Sequence, residues 1–232
     1  MLIPLTRKKF EQLIPRFATG PQYVYYWGKF PDFLKRLLIS VVSLVVLYFG
    51  GLLIFQTDEV GPIRFLLVIV ALLYWLWAPV YFASRRNAKY RKYPYSGFWQ
   101  GKVLDVFVTE EAIGTEETVN KRGELVIVEN RERRLNLEIG DETGFSTEIQ
   151  VPLRKQHKGI TPGQIVQMIV MSNMPDLSRF AKISDIYIPY LDLWVSDYPY
   201  LAKEDFVEVS RQLQASQGVK KSQKSKTRKQ RQ

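Results

Sequence analysis

Two apolar runs limit what this chain can become more than anything else in it. Leu37 to Phe55, LLISVVSLVVLYFGGLLIF, is nineteen residues without a charge, and Phe65 to Phe82 adds eighteen more. At 1.5 Å per residue such helices are roughly 28 and 27 Å long, the hydrocarbon thickness of a bilayer. Helices buried in a soluble core rarely stay apolar on every face for so long. A cleaved signal peptide starts earlier, is shorter and ends in small residues. The link QTDEVGPIR has nine residues and a Gly-Pro turn, short enough to force the runs antiparallel. The expectation is a two-helix transmembrane hairpin over residues 34–83, with spans at 37–55 and 65–82.

Charge supplies an orientation. The net charge is +10, yet residues 96–210 hold twelve basic against nineteen acidic side chains. The basic excess lies beside the apolar runs and in the tail. Lys35 and Arg36 precede the first run, and Arg85, Arg86, Lys89, Arg91 and Lys92 follow the second. By the positive-inside bias these seven are topology anchors that hold both ends in the cytoplasm, or the stroma of a plastid. Tyr26, Trp27, Tyr74, Trp75, Trp77 and Tyr81 read as interfacial aromatics. Pro79 is expected to kink the end of the second span, and Gly50-Gly51 to let the helices approach or to relieve packing. Neither span contains an ionisable residue, which suits an anchor better than a solute pathway.

Residues 1–33 read as an interfacial segment. Thr6 is a candidate N-cap, and Phe10, Leu13 and Ile14 share a helical face before Pro15. The helix suits a membrane surface or a docked partner. GPQYVYYWGKF follows as a set of headgroup-level aromatics, or as a partner or pigment contact.

From Ser96 the period changes to two. FWQGKVLDVFV and ELVIVE read as strands, and Leu135, Leu137 and Ile139 alternate toward a turn at Asp141–Gly144. Phe145, Thr147, Ile149, Val151 and Leu153 alternate after it, which is a hairpin with one buried face. Five or six short strands over residues 96–202 predict a small antiparallel β-barrel of the OB or SH3 kind. The alternative is an open antiparallel sheet packed on a helix at 203–215, where Phe206, Val209 and Leu213 share a face. The fold class expected is thus an α+β membrane protein. Many OB barrels bind single strands, but that needs a cationic groove with stacking aromatics. This domain is acidic, and Trp99, Phe107 and Phe145 sit at strand positions suited to a core, so nucleic acid is not expected on it.

The stretch YIPYLDLWVSDYPYL is either an irregular arm covering the sheet or a partner-binding surface. Tyr190, Trp194, Tyr198 and Tyr200 are its candidate contacts, because exposed aromatics anchor interfaces. Residues 216–232 form a basic, polar tail expected to be disordered, open to anionic lipid, the ribosome or RNA, or the chain's own acidic domain.

Catalytic chemistry is hard to find. There is no cysteine, and the one histidine, His157, lies in a basic loop where histidines are usually solvated. Glu110-Glu111 and Glu116-Glu117 flank a turn and read as solvated surface. No HExxH, P-loop, GxGxxG or GxSxG pattern appears, so no enzyme, metal or cofactor is expected.

The opening LIPLTRKKFEQLIPRFATGPQYVYYWGKFPDFLKRLLIS and the later DIYIPYLDLWVSDYPYL resemble uncharacterised membrane proteins of cyanobacteria and green plastids. Bacterial members of that family are often labelled phosphate ABC transporter permease. The resemblance covers nearly the whole chain. It implies a photosynthetic organism, a plasma or thylakoid membrane, and a part in building or maintaining photosynthetic complexes. The architecture is also similar to NfeD-type proteins, in which membrane helices carry a cytoplasmic OB barrel. The function expected is a membrane-anchored adaptor or assembly factor acting by protein contact, with an accessory subunit of a transporter or channel as the alternative.

Overall fold

Alternation of apolar and polar residues from Ser96 onward produces one large antiparallel sheet. The computed structural model describes residues 1–54, 61–119, 123, 125–213 and 215. Contacts divide the chain into two units: Met1–Phe10 with Tyr93–Pro199, and Glu11–Lys92 with the chain from Tyr200 onward.

The first unit is organised by β2 (Tyr95–Val119), a single strand of 25 residues. One side of it pairs with β1 (Leu2–Pro4), where Leu2 lies opposite Trp99, and then with β3 (Leu125–Gly140). The other side pairs over Tyr95–Lys102 with β5 (Ile165–Ser172). β4 (Ser146–Pro152) extends the sheet beyond β3. Beyond β5 lie β6 (Lys182–Ile183), β7 (Ile186–Ile188) and β8 (Leu193–Val195), giving the order β4-β3-β2-β5-β7-β8.

One face carries a core of Trp99, Val103, Leu137, Ile139, Met168, Val170, Ile186 and Val195. A register shift between Val103 and Asp105 lets Val103 and Val106, three residues apart, oppose Ile139 and Leu137 in turn. β5 is buried on both faces, with Ile169 and Met171 on the second. The predicted β3–β4 hairpin is present. Its turn is tied by the backbone N–H of Thr143 donating to Asp141 Oδ1 at 2.9 Å, and it closes with Gly144 at φ +91°.

The expected barrel does not form: the eight-stranded sheet is open. Closure requires the last strand to pair with the first. Here the strands after β5 are only two or three residues long, and among the described residues β8 pairs with β7 alone. β2 and β3 meanwhile run on past the sheet. Pairing with β4 reaches only Arg134, so 110–119 and 125–133 form a two-stranded ribbon, roughly 30 Å long at about 3.4 Å per residue.

The second unit is helical. α1 (Arg7–Leu13) reaches into it, followed by α2 (Gly20–Trp27), α3 (Phe30–Ile54), α4 (Gly61–Leu72) and α5 (Tyr74–Arg91). A last helix, α6, covers 203–213, with Phe206 and Val209 buried as their spacing predicts.

The two-span hairpin is overturned. Among the described residues α3 is the one helix that is by itself long and apolar enough to cross a membrane, over Phe30–Gly50. The second apolar run is broken into α4 and α5, bent by 77°. At twelve residues α4 is about 18 Å long, short of a bilayer core. The break falls at Leu73, not at Pro79, which α5 carries inside it. At the break Trp77 Nε1 donates to the Val70 carbonyl at 2.9 Å, satisfying an acceptor that the interrupted helix leaves open near the end of α4. Residues 55–60, most of the linking loop, and the tail at 216–232 lie outside the described residues.

Candidate functional surfaces

Apolar side chains on α3 point outward. Leu38, Val42, Val46 and Phe49 are all more than half exposed, and only 6% of the apolar window is buried. On α4, Ile63, Phe65 and Leu66 are exposed in the same way. Soluble surfaces seldom carry so large a contiguous apolar patch.

An aromatic cluster gathers near the first turn of α3 and the α4–α5 bend. Trp27 stacks on Phe33 at 5.5 Å and meets Trp75 edge-on at 6.1 Å, and Phe33 meets Trp75 at 5.8 Å. Tyr26 stacks on Phe82 at 6.1 Å. Trp77 contacts Tyr74 at 5.3 Å and Tyr81 at 6.0 Å. The six expected interfacial aromatics thus fall into two sets, Trp27 and Trp75 around Phe33, and Tyr26, Tyr74, Trp77 and Tyr81 joined through Phe82, beside the exposed apolar helices.

Small buried residues on α5, Ala78, Pro79 and Ala83, let α2 approach it closely, and a buried amide pair fastens the two. Gln22 Nε2 donates to Asn87 Oδ1 at 3.1 Å, and Asn87 Nδ2 donates to Gln22 Oε1 at 2.8 Å. Gln22 also donates to the Tyr200 carbonyl at 3.4 Å and accepts from the Thr19 N–H at 3.1 Å. Both amides are fully buried. Nothing in their sequence spacing singles them out.

The seven expected anchors separate into two kinds. Arg36 donates to the Tyr26 and Trp27 carbonyls and lies over the Trp27 ring at 5.4 Å, capping α2. Arg91 does the same for α1: it donates to the carbonyls of Glu11 at 2.8 Å and Ile14 at 2.6 Å and pairs with the Glu11 carboxylate at 3.1 Å. Arg86 Nε donates to the Tyr200 hydroxyl at 2.7 Å, with the guanidinium over the rings of Tyr200 and Tyr25. Burial works against its charge, and hydrogen bonds to Tyr200, Tyr26 and Tyr25 outweigh that and raise its pKa. Lys35, Arg85, Lys89 and Lys92 are exposed.

The aromatic arm is largely woven into the fold. Tyr198 is buried, and Tyr200 is buried and stacked on Tyr90 at 3.9 Å. Trp194 packs on Tyr187 at 4.7 Å, and Tyr187 donates its hydroxyl to Asp192 Oδ1 at 2.8 Å. Of the four candidate contacts only Tyr190 is openly exposed, at 84%.

His157 is buried, unlike the solvated loop residue expected. It sits in a 3-10 turn (Lys155–Gly159), and its Nδ1 accepts the Arg154 N–H at 3.3 Å. Desolvation, with Arg154 nearby, lowers its pKa. Trp99 is buried in the core, Phe145 is partly buried, and Phe107 is 42% exposed. An open pocket of about 520 Å³ lies between β2 and the β3–β4 turn, lined by Gln100, Lys102, Leu104, Asp141, Glu142 and Ile165 among others. Asp141 is committed there to Trp99 Nε1 at 2.8 Å and to Thr143. Burial opposes ionisation of Asp141, but these hydrogen bonds outweigh it and lower its pKa. Among the described residues no cluster of His, Asp and Glu is placed to hold a metal.

Sequence reading did not nominate the ribbon. Ile113, Leu125 and Ile127 on it are exposed, the last two at 75% and 68%. Leu125-Val126-Ile127-Val128 is an apolar run in the part of β3 that, among the described residues, has no outer neighbour.

A family model described as a family of unknown function (DUF8619) matches residues 3–219. Comparison with curated proteins and with solved structures returned no match.

Proposed function

The chain belongs to the DUF8619 family, and from its own geometry we propose that it is a membrane-held docking protein. The carrying observation is the outward-facing apolar surface of α3 and α4. Lipid is the solvent that such a surface suits, and the adjoining aromatic cluster has the composition of a headgroup-level belt.

Protein contact is assigned to the ribbon. A free strand edge bearing exposed Leu125 and Ile127 supports strand addition by a partner, in which backbone bonds give affinity and alternate side chains give selectivity. The resemblance to cyanobacterial and plastid proteins points to a photosynthetic membrane complex as that partner, and to assembly or maintenance as the task. The role is binding, not catalysis.

The test is alkaline carbonate washing of native membranes, followed by gentle-detergent purification of the tagged full chain. The protein is expected to stay with the membrane and to bring subunits of one complex with it. Ile127→Lys is expected to lose those subunits without releasing the chain from the membrane. Release by carbonate refutes the anchor, and full retention of subunits by Ile127→Lys refutes the ribbon contact.

A further inference from the structure

The cations around α5 do two different jobs, and the second has not been assigned. Arg86 and Arg91 turn inward and brace the fold through tyrosines and helix-end carbonyls. Arg85, Lys89 and Lys92 are exposed and make no hydrogen bond, ion pair or ring contact among the described residues. Their spacing of four and three continues one line along the helix surface, and four residues apart above it stand Tyr81 and Trp77. Trp77, Tyr81, Arg85, Lys89 and Lys92 are thus one stripe, aromatic at the α4 end and cationic beyond. The stripe lies opposite the buried face of Pro79, Ala83 and Asn87, and of the buried α5 residues only the small Ala78, seven before Arg85, falls on its side. No acidic residue occurs anywhere in 60–104 to neutralise it.

We propose that this stripe is a binding surface for anionic glycerolipid headgroups, with Arg85, Lys89 and Lys92 on the phosphates and Trp77 and Tyr81 at the acyl boundary. This rests on the membrane reading above. Two observations choose lipid as the occupant: the stripe is continuous with the exposed aromatic and apolar residues at the α4–α5 bend, and none of its three cations is in an ion pair among the described residues. A helix that rises out of the apolar zone with aromatics first and cations beyond them matches the layering of a leaflet, where the ring zone adjoins the phosphate zone. A nucleic-acid or protein polyanion would not require the aromatic half.

The experiment reconstitutes the full chain in phosphatidylcholine bilayers containing phosphatidylglycerol, with bromine on the acyl chains of one lipid or the other. Quenching of tryptophan fluorescence, which Trp75 and Trp77 in the cluster report, gives the relative affinity of the two headgroups. A basic residue near an anionic surface contributes up to about fivefold in binding. The chain is expected to prefer phosphatidylglycerol severalfold, to lose that preference in Arg85→Gln/Lys89→Gln/Lys92→Gln, and to lose it in molar salt. Equal quenching by both lipids in the unaltered chain, or a preference that survives the triple substitution, overturns the headgroup site while leaving the membrane reading intact. No quenching by either brominated lipid overturns the membrane reading itself.

Discussion

Asn87→Ala tests whether the packing of α2 on α5 rests on the buried amide pair. Asn87 and Gln22 exchange two hydrogen bonds, at 2.8 and 3.1 Å, with no solvent access to either. Removing Asn87 leaves one Gln22 N–H and one Gln22 acceptor direction unsatisfied, because the Tyr200 and Thr19 bonds occupy the others. An unsatisfied buried group costs about 1–3 kcal/mol, so the single substitution is expected to destabilise by about 2–4 kcal/mol. For a chain of this length each kcal/mol lowers Tm by roughly 2–4 °C. Gln22→Ala should cost a similar amount. The double variant Gln22→Ala/Asn87→Ala, which leaves neither amide stranded, should fall short of the sum of the singles by about 0.5–3 kcal/mol. Thermal unfolding in detergent can be followed by tryptophan emission, since Trp27 lies on α2 and Trp75 and Trp77 on α5. Additive losses, or a drop below 2 °C for either single variant, would refute the coupled-pair account.

Trp77→Phe keeps the ring but removes the N–H that satisfies the Val70 carbonyl. It is expected to cost about 1 kcal/mol and to open the α4–α5 bend from 77°, measured as a longer spin-label distance between Ile63 and Ala88 positions. His157→Gln probes acid sensitivity. Its lowered folded pKa means the unfolded chain takes the proton first as pH falls below about 6.5. Stability from this site is therefore complete above that pH and lost on descent through the folded pKa. The substitution should flatten the Tm-versus-pH curve below pH 6.5, and an unchanged slope in the variant would refute the assignment.

How much of this was legible beforehand depended on whether the signal was local. The β3–β4 hairpin could be read because alternation at Leu135, Leu137 and Ile139 and the Asp141–Gly144 turn act within twenty residues. Phe206 and Val209 obeyed helical spacing for the same reason. β1 could not be read: three residues show no period, and their partners at Gly97–Trp99 lie far along the chain. Barrel closure was likewise a long-range question, decided by final strands too short to reach back, so the sheet stays open. The bend at Leu73 was hidden because the run stays apolar through it, with no glycine or proline at the break. The bond that spans it comes from an indole four residues on. The basic cluster was visible as charge, but charge alone could not tell the helix-capping Arg91 from the exposed Lys89 or Lys92. Tyr198 and Tyr200 looked like interface anchors because composition does not reveal which rings the fold itself consumes.

The pairing of β1 with β2 has a consequence for how the sheet depends on an unbroken chain. These strands are adjacent, with the Leu5 N–H on the Ser96 carbonyl at 2.9 Å and Arg7 on the Tyr93 carbonyl at 2.8 Å, yet residues 5–94 separate them in sequence. The helical block is therefore a loop whose two ends are held side by side in one sheet. A single backbone cut anywhere in 5–94 would leave β1 at the end of a separate peptide, held to β2 by pairing alone, so the sheet could shed its first strand without a single substitution in it.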